Sequence, residues 1–224
     1  MIIITGASSG IGYFLFEKFK ENNYPIEGTY LNTPPNNKDC YTKVDVSSYE
    51  DVSKWIESLK LDEKIVLINA AGINSNEIFH KSQPENWNRV ISANLNSVYN
   101  TCRKLIPVMR ENKYGRIINI SSVVAQKGVP GTSAYAASKS GLWGLTKNLA
   151  VENAKYNISV NTLNLGYFNT GMIKDIPEDM LNKIIDNIPA GRLGNPEEVY
   201  HAIEFLIKTP YVNGTTIDMN GAYF

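Results

Sequence analysis

Apolar and polar positions fall into two textures that alternate along the chain. Short runs of apolar and β-branched residues occur at Ile2–Thr5, Pro25–Tyr30, around Val44, Lys64–Asn69, "GRIINIS" from 115, "ISVNTLN" from 158 and "GTTIDMN" from 214. They predict seven strands. Helix-period segments lie between them. These are Ile11–Glu21, a segment carrying Val52, Trp55, Ile56 and Leu59, a long one over Pro84–Asn112, another over Thr132–Tyr156, and Pro196–Lys208. Ser47-Ser48-Tyr49-Glu50 has the pattern of a capping box. Pro107 predicts a kink late in its helix. Strand–helix alternation of this kind implies an α/β fold, a doubly wound parallel sheet of about seven strands with helices on both faces. No linker-like stretch or internal repeat divides residues 1–224, so one domain is expected. One connection departs from the rule. Between Tyr30 and Asp45 the chain reads "LNTPPNNKDCYTKV", where Pro34, Pro35 and the two asparagines after them oppose a helix. A short irregular crossover is expected there.

Composition narrows the function classes. The 224 residues carry 22 Lys+Arg and 22 Asp+Glu, without a clustered basic face, which argues against nucleic acid as a partner. His80 and His201 are isolated, so no metal cluster is expected. Cys40 and Cys102 lie far apart and read as free thiols of a reducing compartment. The opening "MIIITG" lacks a basic segment, and its apolar run is too short for a signal peptide or a membrane span. A cytoplasmic protein without membrane contact is expected.

Two glycine-bearing segments follow predicted strands. "TGASSGIG" (Thr5–Gly12) links the first strand to the first helix. Glycines at 6, 10 and 12 let the backbone turn tightly and approach a ligand. Helix N–H groups and the helix dipole then face a pyrophosphate. "NAAG" (Asn69–Gly72) ends the fourth strand, and ligands of open α/β sheets bind beyond the carboxyl ends of strands. Small residues there leave room for a flat nucleoside, although a plain small-residue turn has the same composition.

"SAYAASKS" (Ser133–Ser140) holds Tyr135 and Lys139 one helical turn apart. A free phenol titrates near ~10 and is a poor acid–base catalyst at neutral pH. An ammonium at ~4 Å favours the phenolate by about 4 kcal/mol at an effective dielectric of ~20. The sequence therefore predicts a lowered Tyr135 pKa and a proton donor for a carbonyl oxygen. An ordinary helix face has the same spacing, so the pair is informative only in combination with other motifs.

That combination exists. "TGASSGIG", "NAAG", "GRIINISS", "YAASK" and "LGYFNT" stand in an order and spacing that resembles the short-chain dehydrogenase/reductase family over essentially the whole chain. "IPAGRLGNPEEV" and "NGTTIDMNGAYF" are most similar to its 3-oxoacyl-[acyl-carrier-protein] reductases. The resemblance implies a Rossmann fold with a substrate loop over about 166–195. It implies Tyr135 as acid/base, Lys139 as the partner that lowers its pKa and holds the nicotinamide ribose, Ser122 on the substrate oxygen and Asn94 in a proton relay. It places Thr5, Gly6, Ser8, Ser9, Gly10, Ile11 and Gly12 at the pyrophosphate. Asn69, Ala70 and Gly72 fall on the adenosine and ribose side, Asp45 and Val46 at the adenine, and Gly166 and Thr170 at the nicotinamide. Family members commonly form homotetramers through the two long helices, so a homo-oligomer, tetramer or dimer, is expected.

Departures from the family pattern matter. Leu165-Gly166 replaces the usual Pro-Gly, which predicts a looser nicotinamide loop. The family's carrier-binding reductases use basic residues beside the site entrance. The best-matched positions are Lys113 and Tyr156, of which one is basic. At the end of the second strand, Tyr30, Leu31, Asn32 and Thr33 offer no acid for an adenosine 2′-hydroxyl. Asn32, Thr33 and Ser8 or Ser9 can hydrogen-bond a phosphate, with Lys38 nearby, so NADP(H) is favoured over NAD(H). The expected activity is an NADP(H)-dependent interconversion of a carbonyl and a secondary alcohol, with a 3-oxoacyl thioester as leading substrate. Alternatives are a sugar derivative or other small biosynthetic ketone, or a non-catalytic nucleotide-binding protein. Met172, Ile173, Ile176, Met180 and Leu181 are candidates for an apolar substrate wall.

Overall fold

A computed structural model describes residues 1–171, 173 and 177–224. Met172 and Ile176, two of the candidate wall residues, lie outside them.

Seven strands form one sheet: β1 Ile2–Thr5, β2 Ile26–Tyr30, β3 Tyr41–Lys43, β4 Ile65–Asn69, β5 Gly115–Ser122, β6 Ile158–Leu165 and β7 Thr216–Met219. Their order is β3-β2-β1-β4-β5-β6-β7 and every pairing is parallel. The order reverses direction between β1 and β4, and the crevice at that switch point is where such sheets bind ligands.

Helices cover both faces: α1 Gly10–Glu21, α2 Tyr49–Ser58, α3 Pro84–Ile91, α4 Ser97–Glu111, α5 Ser133–Asn153, α6 Glu178–Asp186 and α7 Pro196–Lys208. Alternation along β1 sets the two layers. Ile2 and Ile4 pack with Phe16 and Phe19 of α1 and Val199 and Ile203 of α7. Ile3 packs on the opposite face with Trp55 of α2, Leu105 of α4 and Leu142 of α5.

Several local expectations need correction. The long helix expected over Pro84–Asn112 is continuous from Pro84 to Glu111, but its turn at Ser92–Asn96 is π-helical and divides α3 from α4, which runs through Pro107. The cap of α2 is Ser48, whose side chain accepts from the Asp51 N–H at 3.2 Å. Ser47 instead donates to Asp45 Oδ1, and Glu50 pairs with Lys54, so the reciprocal box at 47–50 does not form. The third strand ends one residue before Val44. Within the expected substrate loop lies a helix, α6, whose Met180, Leu181, Ile184 and Ile185 recur with helical spacing. The crossover from β2 to β3 is irregular, as expected, and Cys40 takes a positive φ of 64° as it enters β3.

Candidate active site

The glycine turn is held from three sides. Gly6 has φ 67°, and a Cβ there would lie 2.7 Å from Ala71 Cα. A Cβ at Gly12 would collide with the Gly6 carbonyl oxygen. The Ala71 N–H donates to Thr5 Oγ1 at 3.2 Å, so the turn after β1 and the turn after β4 are fastened together. On the other side the Gly6 N–H donates to Thr29 Oγ1 at 3.2 Å, and the Ala7 N–H to the Thr29 carbonyl at 2.8 Å. The Tyr41 hydroxyl donates to the Ala7 carbonyl at 3.2 Å. These bonds occupy the polar groups that face the sheet. The start of α1, with Ser9 at its N-cap making no side-chain cap, is left toward the crevice. Ser8, Gly10 and Ile11 are partly exposed along this rim, and Ser9 is exposed. A turn this close to Ala71 with no room for side chains at Gly6 and Gly12 fits a dinucleotide pyrophosphate.

Asn94 is fully buried in the π-turn. Its Oδ1 accepts from the Ile73 N–H at 2.8 Å, and its Nδ2 donates to the Ile73 carbonyl at 2.9 Å and to Ser138 Oγ at 3.0 Å. Ser138 in turn donates to the Tyr135 carbonyl at 2.7 Å. One asparagine thus ties the segment after "NAAG" to helix α5. π-Turns of this kind recur at functional sites. A Cβ on Gly72 would lie 3.2 Å from Asn94 Oδ1 and 3.3 Å from Lys139 Nζ, so Gly72, Asn94 and Lys139 share one corner. Ala70 is partly buried beside them, packed on the α1 face of the core.

Tyr135 and Lys139 lie on the first turns of α5. Lys139 Nζ stands 5.7 Å from the centroid of the Tyr135 ring and donates to the Ile120 carbonyl at 2.8 Å. Loss of water around the buried ammonium lowers its pKa to about 8. Burial raises the Tyr135 pKa, and a hydrogen bond with Ser122 opposes that only in part. The lowered phenol predicted from charge alone is therefore not what the folded chain produces. Desolvation dominates, and the lysine points its N–H at a carbonyl. Ser122 ends β5, and its hydroxyl accepts from the Val124 N–H at 3.4 Å. The preceding Ser121 faces α5, donating to the Lys139 carbonyl at 3.0 Å and accepting from Trp143 Nε1 at 3.1 Å. Sequence reasoning did not single out Ser121 or Ser138, because nothing in the motif separates a serine that braces a helix from one on its surface.

Asn69, at the end of β4, turns its side chain inward. Its side chain is buried inside the sheet layer, donating to Asn119 Oδ1 at 2.9 Å and accepting from Thr101 Oγ1 at 2.9 Å. The chain of bonds continues through Asn119 to Thr146 and Thr162. The side-chain amide is committed to this interior ladder. Cys102 lies against the same asparagine, and burial pushes its thiol up to about 12, which leaves it unreactive.

At the end expected to take the adenosine, Asp45 holds one carboxylate oxygen on the Ser47 N–H and hydroxyl. The Val46 carbonyl accepts from Asn100 Nδ2 at 3.0 Å. Tyr30, the last residue of β2, is partly buried; Asn32 and Thr33 beyond it are exposed. At the end expected to take the nicotinamide, Leu165 stays within β6, opposite Ser122 and Met219. The Gly166 N–H donates to the Met219 carbonyl at 2.9 Å, and a Cβ on Gly166 would lie 2.7 Å from Asn220 Cα. The turn expected to be loose is closely held. Thr170 is partly buried, with its N–H on the Phe168 carbonyl at 2.7 Å.

Lys113 and Tyr156 do not stand beside this crevice. They precede the amino ends of β5 and β6, a strand length of about 23 Å from Ser122. Among the described residues, no group of three or more His, Cys, Asp or Glu side chains has a metal-holding arrangement, and no helix is long and apolar enough to cross a membrane.

Comparison with known proteins agrees with this geometry. A family model described as enoyl-(acyl carrier protein) reductase matches residues 6–223. The chain is 38% identical to an acetoacetyl-CoA reductase of Shinella zoogloeoides, over 99% of this chain and 97% of that one. It is 34% identical to a 3-oxoacyl-[acyl-carrier-protein] reductase of Vibrio harveyi, over 99% and 96%. The crystal structure of 3-oxoacyl-[acyl-carrier protein] reductase from Brucella melitensis superposes with a TM-score of 0.90 at 30% identity, covering all of this chain and 91% of that one. A sheet wound in this order, closed over a glycine turn and a tyrosine–lysine helix, and matched along its whole length to named reductases, makes this chain a member of the short-chain dehydrogenase/reductase family, oxidoreductases that work with a nicotinamide cofactor.

Proposed function

We propose that the chain reduces a 3-oxoacyl thioester to the 3-hydroxyacyl thioester, with NADPH as reductant. The observation that carries this is the neighbouring pair of hydroxyls, Tyr135 with Ser122 beside it, next to the buried Lys139 ammonium. Two neighbouring O–H groups suit a carbonyl oxygen that gains negative charge. The bound nicotinamide supplies the hydride to the carbonyl carbon. Ser122 orients the oxygen, and the Tyr135 phenol passes it a proton. Lys139, anchored on Ile120, stabilises the phenolate left behind. Because burial raises the Tyr135 pKa, the phenol is fully protonated at neutral pH, the state needed for reduction. Asn94 fixes the Ile73 segment and, through Ser138, the start of α5. Gly6, Gly12 and the start of α1 hold the pyrophosphate, and Thr170 and Gly166 flank the nicotinamide.

The names of the similar proteins support the thioester, and the absence of an acid over Tyr30–Thr33 supports NADPH. We also propose a homo-oligomer, tetramer or dimer, built on α4 and α5. Tyr99 and Val151 are exposed on these helices, and a groove of about 380 Å³ runs between Ile106, Pro107, Leu145 and Leu149. Cys40 and Cys102 are free thiols, which fits the cytoplasm.

Loss of reduced-cofactor absorbance tests the reaction, with acetoacetyl-CoA and crotonyl-CoA as substrates, NADPH and NADH as reductants, and Tyr135→Phe as control. NADPH-dependent turnover of acetoacetyl-CoA that Tyr135→Phe abolishes is expected. Turnover of crotonyl-CoA alone would make the enzyme an alkene reductase, and a preference for NADH would overturn the cofactor assignment.

A further inference from the structure

The strand that follows the irregular crossover has a second role. Tyr41 of β3 pairs in register with Gly28, and Lys43 with Tyr30, the residue that ends β2. Residues two apart on a strand share a face. The face is fixed by Tyr41, whose ring lies 4.0 Å from that of Phe16 on α1 and whose hydroxyl bonds Ala7 in the glycine turn. Lys43 therefore projects on the side of the sheet that carries the pyrophosphate turn, at the level where β2 ends. Neighbouring strands are about 4.8 Å apart, so its flexible stem reaches across the end of β2. Lys43 is exposed, and no ion pair engages it among the described residues. The nearest carboxylate along the strand, Asp45, is turned to Ser47. Lys38 is placed less well: it precedes β3 by three residues, and β3 begins below the level of Tyr30.

We infer that Lys43 is the specificity-determining residue of the cofactor site, the cation that recognises the adenosine 2′-phosphate. This rests on the NADPH assignment above. An exposed ammonium beside the ribose gains a strong partner in a phosphate dianion and only a weak one in a hydroxyl. Asn32 and Thr33, exposed just past Tyr30, supply neutral hydrogen bonds to the same group. The short crossover leaves the end of β2 open to the neighbouring strand, and a basic residue on β3 does the work that a residue after β2 does elsewhere.

Calorimetric titration with 2′,5′-ADP and with 5′-AMP isolates the phosphate from the chemistry. Wild type is expected to bind 2′,5′-ADP at least tenfold more tightly, with the difference shrinking as salt rises. Lys43→Met is expected to remove most of that ratio, leave 5′-AMP affinity unchanged and keep the wild-type melting temperature. Lys43→Glu should invert the ratio, and Lys38→Met should keep it. A wild-type ratio retained in Lys43→Met overturns the assignment to Lys43 while leaving the NADPH reading intact. Equal binding of the two nucleotides by wild type sinks both.

Discussion

The Asn94 amide donates to the Ser138 hydroxyl at 3.0 Å, and Ser138 donates to the carbonyl of Tyr135 at 2.7 Å. A residue in the π-turn is thereby two hydrogen bonds from the backbone of the proposed acid. The same amide satisfies both polar groups of Ile73.

Asn94→Ala therefore leaves the two Ile73 backbone groups without their partner and takes one donor from Ser138, whose hydroxyl keeps its bond to the Tyr135 carbonyl. Each such group costs about 1–3 kcal/mol. Urea denaturation is expected to show a loss of roughly 3 kcal/mol, with kcat down at least tenfold. A variant as stable and as active as wild type contradicts this role.

Tyr135→Phe removes one oxygen and keeps the ring. Turnover is expected to fall by ~10²–10⁴, the usual worth of a positioned general acid. Cofactor affinity, followed by fluorescence, should stay within about twofold of wild type. A large loss of cofactor binding would assign the hydroxyl to the ligand and not to the chemistry.

Lys139 makes stability depend on alkaline pH. A lysine ammonium free in water titrates at 10.5, and this one titrates at about 8 when folded. Between these values the unfolded chain holds the proton more tightly. Folding thus gains as pH rises from about 8 to 10.5, and the full cost, roughly 3 kcal/mol, stands below that window. Lys139→Met abolishes this dependence along with activity. Denaturation at pH 7 and pH 10 should show wild type gaining on the variant; parallel curves would mean that the folded lysine keeps its ordinary pKa.

Asn69 and Gly12 should part company. Asn69→Ala breaks the interior ladder of Thr101, Asn69, Asn119 and Thr146, costing about 2–4 kcal/mol in stability while leaving the cofactor KM near wild type. Gly12→Ala puts a methyl group against the Gly6 carbonyl and is expected to abolish dinucleotide binding. A raised KM in Asn69→Ala, with stability unchanged, would return Asn69 to the ligand.

Much of this was legible in the chain itself. Strands and helices on strong apolar periods were placed within a residue or two, and the motifs located the crevice. What escaped depends on long-range partners. The π-turn at Ser92–Asn96 carries no local signal, since the partners of Asn94 are Ile73 and Ser138. The direction of Asn69 was hidden because β4 is buried on both faces, so alternation of polar and apolar residues gives no side. The Tyr135 pKa went the other way because burial is set by the whole fold, whereas the Tyr–Lys spacing reports only the attraction. Helix α6 was readable: Pro177, Glu178 and Asp179 open it, and Met180, Leu181, Ile184 and Ile185 follow at helical intervals.

The fastening of Thr5 and Gly6 to Ala71 also orders events in time. β1 leaves the ribosome first, yet its partner β4 is about sixty residues away in sequence. Until that segment emerges, the phosphate turn has only half of its walls, and the outer strands β2 and β3 are without the centre of their sheet. Dinucleotide affinity thus arises late in synthesis, in a protein whose all-parallel, non-local pairing makes for slow folding. A newly made chain passes through a stage in which its most glycine-rich segment lacks the Ala71 wall.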